Sequence, residues 1–246
     1  MIARKPRRQR GEKVRYAVVG QGYIAQAAIL PAFKHAKNSE LAALVSDDPV
    51  KLRELGRKYD VAGLYDYRQY DQLLWSEEID AVFIALPNDM HRDFSVRAAE
   101  AGVHVLCEKP MALSEEDCEA MIAAAEDHDV RLMIGYRLHF EEANLRAIEI
   151  VQNGEIGEPR YFSSCFSMQV EAGNIRVTAA RGGGPLWDIG VYCINAARYL
   201  FRDEPIEVQA FAENNGEARF AETPEAVAAT LRFPGARLAS FVCSFG

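Results

Sequence analysis

The residues best suited to chemistry begin with a glycine-rich segment near the start of the chain. Gly20, Gly22 and Ala25 form a G-x-G-x-x-A pattern directly after a short valine-rich run. The first glycine of such a pattern permits a tight turn, the second lets the backbone approach a pyrophosphate, and the small third residue keeps the next helix close to the sheet. The helix N-terminus adds amide donors and the positive end of its dipole. The pattern predicts a dinucleotide site that includes Gly20, Gly22, Tyr23 and Ile24.

A second group of polar residues follows the predicted second strand. NAD-binding folds place a carboxylate there to hold the ribose 2′-hydroxyl. Ser46 stands at that position, which favours the 2′-phosphate of NADP, with Lys51 as a nearby cation. Asp47 is the ribose ligand instead if the strand extends by one residue, whereas Asp48 is better placed to cap the next helix. The segment therefore predicts NADP as the cofactor, with NAD as the alternative.

Three further residues are suited to moving a proton and stabilising charge on a hydroxyl. Lys109 follows a predicted strand, at the edge where parallel sheets bind ligands, and its ammonium would stabilise an alkoxide. Asp188 and Tyr192 are four residues apart on a predicted helix and share a face with Asn195. Free tyrosine has a pKa of about 10, so proton transfer by Tyr192 at neutral pH requires a positive charge nearby. The structural alternatives are an ion pair between Lys109 and Glu108, a helix cap at Asp188, and a tyrosine buried in the core.

Short apolar runs and longer amphipathic stretches alternate through the first part of the chain, which predicts β-α-β units and a parallel sheet. The predicted strands cover residues 14–19, 41–46, 79–86, 103–107 and 130–135. The predicted helices cover residues 23–35, 49–59, 91–101 and 114–128. Pro31 interrupts the first helix, and Ser114 is the N-cap of the last. We therefore expect an α/β Rossmann domain over residues 14–135.

The pattern changes after Tyr136 to strands that include a hairpin signal at residues 234–236. The predicted helices cover residues 141–153 and 186–201, and the predicted strands cover residues 160–169, 206–214, 226–233 and 237–245. This predicts a second domain, residues 136–246, of α+β type with a mostly antiparallel sheet. Because the chain ends directly after a strand, we expect this sheet to be incomplete. Its open face needs cover, which predicts a homodimer or homotetramer.

The composition excludes several classes of protein. The 246 residues carry 28 Lys and Arg against 36 Asp and Glu, a net charge of −8, which argues against nucleic acid as a partner. The apolar runs are far shorter than the ~20 residues of a membrane span, so we expect no membrane association. Five scattered cysteines offer neither zinc-ligand spacing nor an even disulfide framework. We expect no metal, reduced thiols and a cytoplasmic location.

Residues 1–13 form a separate basic segment, with six Lys and Arg against one acid. Its twin arginines are not followed by the apolar run of an export signal. The segment is therefore expected to be a solvated arm outside the core.

Four segments complete a pattern that resembles a known family. They are LPNDMH at 86–91, CEKPM at 107–111, GYR at 135–137 and GGGPLWDIGVY at 182–192. With the glycine pattern, they resemble the glucose–fructose oxidoreductase/inositol dehydrogenase (Gfo/Idh/MocA) family from Val14 to the end of the chain. Tyrosine at position 192, where many members have histidine, points to sugar-oxidising relatives. The resemblance also implies a cis bond between Lys109 and Pro110, and an arm that packs across a neighbouring subunit.

The resemblance assigns roles to individual residues. Lys109, Asp188 and Tyr192 are implied to be catalytic. The implied cofactor contacts are Gly20, Gly22, Tyr23, Ile24, Ser46, Lys51, Tyr67, Leu86, Asn88, His91, Glu108, Lys109 and Arg137. The implied substrate contacts are Tyr136, Arg176, Asp188 and Tyr192. Helix capping is the alternative for His91, a domain-interface ion pair is the alternative for Arg137, and His139 is expected to be structural.

The sequence thus predicts an NADP-dependent oxidoreductase that transfers a hydride between a sugar or polyol carbon and the nicotinamide. A protein that binds the nucleotide without turnover, such as a redox sensor, is the alternative, but it would need neither Lys109 nor Asp188 and Tyr192. A methyltransferase that uses S-adenosylmethionine is disfavoured by the second domain and by Lys109-Pro110.

Overall fold

The computed structural model describes residues 12–246, so nearly all of the basic arm lies outside the described residues. The chain divides into two compact units, with the boundary between Gly135 and Tyr136.

The first unit is built on a six-stranded sheet in which every pairing is parallel. The strands are β1 (Val14–Val19), β2 (Ser39–Val45), β3 (Gly63–Tyr65), β4 (Ala81–Ile84), β5 (His104–Glu108) and β6 (Leu132–Gly135). Their order across the sheet is β3-β2-β1-β4-β5-β6. This is the doubly wound order of dinucleotide-binding domains, which bind ligands at the carboxyl edge where the order reverses, between β1 and β4. The predicted Rossmann fold is confirmed.

Helices cover both faces of this sheet, and two apolar clusters form the core. The helices are α1 (Leu30–Ala32), α2 (Pro49–Tyr59), α3 (Tyr70–Trp75), α4 (His91–Glu100) and α5 (Glu115–Asp127), and α1 continues a π-helix (Ala25–Ile29). Strand β4 is buried along its whole length, as expected for a strand covered on both faces. The cap predicted at Ser114 is confirmed, because its side chain accepts a hydrogen bond from the Asp117 N–H.

Two features of this unit differ from the prediction. Strand β3 and helix α3 were not predicted, because three and six residues are too short for a periodic pattern. Pro31 does not interrupt the first helix as expected. It lies at the start of α1, directly after the π-helix, where the wider turn accommodates a residue that has no N–H.

The second unit contains a four-stranded sheet and two helices longer than one turn. These elements are α6 (Glu142–Gln152), β7 (Tyr161–Ser167), α7 (Val191–Phe201), β8 (Glu207–Glu213), β9 (Ala226–Phe233) and β10 (Arg237–Ser244), with a π-helix (Leu186–Gly190) leading into α7. The strand order is β7-β10-β9-β8. Strands β9 and β10 form the predicted hairpin, and only the β7–β10 pairing is parallel. The sheet is therefore mixed and mostly antiparallel, as predicted.

The two faces of this sheet have different environments. On one face, Phe233, Phe241 and Cys243 pack in a core with Cys193 and Phe201 of α7. The other face is open. Its exposed apolar side chains lie on β7, β8 and β10: Tyr161, Phe211, Leu238 and Val242. Since alternate residues of a strand point to opposite faces, the strand pattern produces this two-sided sheet directly.

Among residues 12–246, no helix is long and apolar enough to cross a membrane, and no group of His, Cys, Asp and Glu side chains is arranged to hold a metal ion. All five cysteines are free thiols.

Candidate active site

The glycine segment forms the turn between β1 and the first helical residues. Gly20 has φ +91°, and a Cβ at this position would lie 2.5 Å from the carbonyl oxygen of Ala85, so only glycine fits. Its N–H donates to Val45 O at 2.9 Å, while Ala85 N–H donates to Val19 O at 2.8 Å. The turn is thus fixed to the ends of β1, β2 and β4.

Gly22 has different surroundings. A Cβ built on Gly22 meets no protein atom within 4 Å, so packing within the described chain does not require glycine there. The adjacent Tyr23 side chain is 83% exposed, which is unusual for an aromatic residue. Glycine at position 22 and an exposed ring beside it fit a backbone that a pyrophosphate approaches closely. These residues therefore fit the dinucleotide that the pattern predicts.

The segment after β2 is ordered by its own hydrogen bonds. Strand β2 ends at Val45, so the extension that would make Asp47 its last residue does not occur. Ser46 is 3% exposed, and its hydroxyl accepts a hydrogen bond from the Asp48 N–H at 3.2 Å. Asp48 caps α2 by accepting from the N–H groups of Val50 and Lys51, and the Lys51 bond in particular lowers the pKa of its carboxyl. The Lys51 ammonium also lies 3.6 Å from Asp48, which partly neutralises the cation expected to face a 2′-phosphate.

His91 has backbone partners that its residue type does not predict. The ring is wholly buried, with Nδ1 2.8 Å from Pro110 O and Nε2 2.9 Å from Leu86 O. Both ring nitrogens therefore face the protein's own backbone. The side chain does not cap α4, whose N-cap is Met90 with no side-chain hydrogen bond. Burial lowers the pKa of His91, while the carbonyls of Pro110 and Leu86 oppose that shift.

Lys109 lies just beyond β5, at the carboxyl edge of the sheet. The Lys109–Pro110 bond is cis, as the resemblance implies. Both Lys109 and Glu108 are half-buried, and the Lys109 N–H donates to Glu108 Oε2 at 3.3 Å. The neighbouring Cys107 is fully buried, and burial raises its pKa to about 12, so its thiol is not a nucleophile.

The remaining cofactor candidates of the first unit lie on two loops. Tyr67 packs edge-on against Phe94 with ring centroids 5.6 Å apart. Leu86 is buried after β4, and Asn88 begins a short 3₁₀ turn that leads into α4. Arg137, by contrast, belongs to the second unit and is exposed.

Within the second unit, the structure brings the predicted substrate residues together in two pairs. Arg176 Nε donates to Asp188 Oδ2 at 2.7 Å. Tyr136 packs edge-on against Tyr192, with ring centroids 6.3 Å apart. Asp188 therefore forms an ion pair and does not serve as the helix cap considered above. Arg176 orients a carboxylate, a role that its residue type alone did not predict.

The triple glycine explains how Arg176 reaches Asp188. Gly184 has φ +116°, and its N–H donates to Arg176 O at 2.8 Å. A Cβ on Gly183 would lie 2.6 Å from that same oxygen and 2.7 Å from Thr178 O. The loop thus folds tightly around the backbone of Arg176 and leaves no space for a side chain at Gly183.

A cavity of about 290 Å³ lies beside Tyr192, between α6, β7 and α7. Its polar lining includes Asn144, Asn195 and Tyr199, and His139 stacks on Tyr199 with ring centroids 3.8 Å apart. Neither Asn144 nor Tyr199 was predicted from the sequence to line a site. Tyr199 was detectable, because it lies seven residues after Tyr192 and therefore on the same helix face.

The comparisons with known proteins agree with this geometry. Residues 14–136 match the model of an oxidoreductase family with an NAD-binding Rossmann fold, and residues 144–246 match the GFO/IDH/MocA C-terminal domain. The chain is a member of the Gfo/Idh/MocA oxidoreductase family. The resemblance inferred from the motifs is confirmed, and the first unit is the family's NAD-binding domain.

Individual relatives of this Gfo/Idh/MocA member include enzymes named for sugars. The chain is 32% identical to a D-xylose 1-dehydrogenase [NADP(+)] of Haloarcula marismortui, over 90% of this chain and 64% of that one. It is 35% identical to an uncharacterised oxidoreductase of Rhizobium meliloti, over 94% and 68%. A crystal structure of aldose-aldose oxidoreductase from Caulobacter crescentus complexed with glycerol is 40% identical, with a TM-score of 0.92 over 95% and 71%. The chain thus spans about two thirds of the length of these relatives.

Proposed function

We propose that the protein is an NADP-dependent oxidoreductase that transfers a hydride between a carbinol carbon of a sugar or polyol and the nicotinamide. The observation that carries this proposal is the presence of two polar pairs in the second unit, Arg176 with Asp188 and Tyr136 with Tyr192, in a chain that also has a nucleotide-binding domain. Relatives named xylose dehydrogenase and aldose-aldose oxidoreductase support the substrate class.

The proposed chemistry assigns a separate task to each residue. Tyr192 accepts the proton of the reacting hydroxyl during oxidation and returns it during reduction. Lys109 supplies a positive charge that stabilises the alkoxide. Asp188, held by Arg176, orients the substrate hydroxyl. When bound, the nicotinamide supplies the hydride acceptor or donor.

The preference for NADP rests on Ser46 at the position that a carboxylate occupies in NAD enzymes, with Lys51 in the first turn of α2. The Haloarcula relative, named as an NADP enzyme, supports this part of the proposal. Because Lys51 also pairs with Asp48, we expect a moderate preference and measurable binding of NAD.

Two further parts of the proposal concern the assembly and the compartment. A second copy of the chain would cover the open sheet face, on which the Phe211 side chain is 67% exposed. Light scattering of the full-length protein should therefore give at least a dimer, and a monomer would exclude this assembly.

Five free thiols are consistent with a reducing compartment, the cytoplasm.

Single-turnover reduction of NADP by a panel of aldoses and polyols tests the reaction. Tyr192→Phe removes only the hydroxyl and keeps the ring, so NADP affinity should stay unchanged while the hydride-transfer rate falls by about 10²-fold or more. Tyr59→Phe, which removes the hydroxyl of a half-buried tyrosine at the end of α2, outside the proposed site, is the matched control. If no sugar or polyol reduces NADP in the wild type, the protein belongs to the alternative class that binds nucleotide without turnover.

A further inference from the structure

His91 joins two loops that end neighbouring strands of the first unit. Leu86 follows β4 and Pro110 follows β5, and these strands are adjacent and parallel in the sheet. The ring lies between the two loops, with one nitrogen within hydrogen-bond distance of each carbonyl oxygen. We call this arrangement the His91 bridge: the imidazole of His91 with the backbone carbonyls of Leu86 and Pro110.

The bridge contacts backbone directly beside candidate site residues. Pro110 is the residue after Lys109, and Asn88 comes two residues after Leu86. A shift of the Pro110 carbonyl therefore moves the backbone that carries Lys109. Because the ring is wholly buried, a shift of either carbonyl also disturbs the packing around the imidazole.

The chemistry of imidazole explains why histidine suits this position. Each ring nitrogen can carry a proton, and the two nitrogens point in different directions within one rigid plane. A neutral ring donates to one of the two carbonyls, and a protonated ring donates to both. No apolar side chain of similar size can donate to either, and a buried carbonyl without a donor costs free energy.

We propose that His91 is a positioning residue, which holds Lys109 in place for catalysis through the carbonyl of Pro110. This inference rests on the proposed function, because it assigns Lys109 a part in hydride transfer. It differs from the prediction that His91 contacts the cofactor, since its ring has no exposed surface.

Hydrogen–deuterium exchange of the full chain tests the bridge without any activity. His91→Phe keeps a ring but removes both ring nitrogens and with them every donor, whereas His91→Gln keeps a donor. Tyr70→Phe is the matched control, because it removes another buried hydrogen bond of the same unit, from Tyr70 to Phe94 O at 3.0 Å. His91→Phe should accelerate exchange in residues 86–90 and 109–113 by about tenfold, and Tyr70→Phe should not. Equal acceleration by the control, or none by His91→Phe, would overturn the bridge.

Kinetics test the link to Lys109. In an otherwise wild-type chain, His91→Phe should lower the single-turnover hydride-transfer rate by about 10-fold to 10²-fold and change NADP affinity by less than about threefold. His91→Gln should restore part of the rate. In a Lys109→Met chain the same His91→Phe change should cost less than about threefold, because the residue that His91 positions is already missing.

The outcomes separate the two proposals. If the wild type transfers no hydride, the proposed function fails, and the exchange measurement still decides whether the bridge holds the two loops. If the wild type is active but His91→Phe lowers the rate equally with and without Lys109, His91 does not act through Lys109. If His91→Phe does not fold, the same comparisons are made with His91→Gln, whose smaller losses should follow the same pattern.

Discussion

Gly22 and Gly183 both lie within glycine-rich segments, one in each unit, and their surroundings are opposite. Among residues 12–246, a Cβ on Gly22 would meet no protein atom within 4 Å, whereas a Cβ on Gly183 would lie 2.6 Å from Arg176 O. Packing within the described residues therefore requires glycine at position 183 but not at position 22. Glycines that look alike in sequence thus have different surroundings: one folds a loop, and the other leaves space that fits the proposed nucleotide.

The first prediction compares the two units at their proposed catalytic residues. Lys109→Met should lower the single-turnover rate with the best sugar by about 10²-fold or more, because the charge that stabilises the alkoxide is lost. Tyr192→His should keep partial activity, since histidine exchanges protons near neutral pH. Tyr192→His should bind NADP like the wild type, because Tyr192 is assigned to the substrate and not to the cofactor. If Lys109→Met and wild type transfer hydride equally fast, Lys109 has no part in the chemistry.

The second prediction tests the contrast between the two glycines directly. Gly22→Ala should change the free energy of unfolding by less than about 0.5 kcal/mol, yet weaken NADP binding by about tenfold, because the methyl group blocks the close approach. Gly183→Ala should destabilise the fold by about 1–3 kcal/mol and leave NADP affinity unchanged. Denaturant titration and fluorescence titration with NADP measure these quantities. Equal stability of the two variants would remove the distinction.

The third prediction changes only the choice between the two nucleotides and concerns the ribose end of the proposed site. Ser46→Asp should reverse the preference from NADP to NAD, because a carboxylate repels the 2′-phosphate and accepts from the 2′-hydroxyl. We expect about a tenfold change in the ratio of the two dissociation constants, with Ser46→Asn as the uncharged control. A wild-type protein that prefers NAD would instead make Asp47 the ribose ligand.

The sequence was most informative where structure depends on neighbouring residues. The bounds of β1, α2 and β9 agree with the prediction to the residue, because each has a clear periodic pattern and a cap or turn at its end. The glycine turn was predictable for the same reason. Strand β3 was missed because three residues carry no period.

The parts of the site that were not predicted depend on contacts distant in sequence. The Arg176–Asp188 pair spans 12 residues, and the loop between them contains Gly182 and Gly184 at positive φ. The partners of His91 are backbone carbonyls, one of them 19 residues away, and residue types give no signal for a carbonyl acceptor. Motif matching places such a residue near a site but does not distinguish a ligand contact from an internal support.

The π-helix before α7 has a consequence for how this segment tolerates insertions and deletions. A π-turn holds one residue more than an α-turn, and Asp188 lies within it while Tyr192 lies beyond it. Deleting Gly190 would rotate Asp188 by about 100° around the helix axis relative to Tyr192. The carboxylate would then point in a different direction relative to the tyrosine hydroxyl, although both side chains would still be present. The register of this segment therefore carries functional information that a comparison of residue identities alone would overlook.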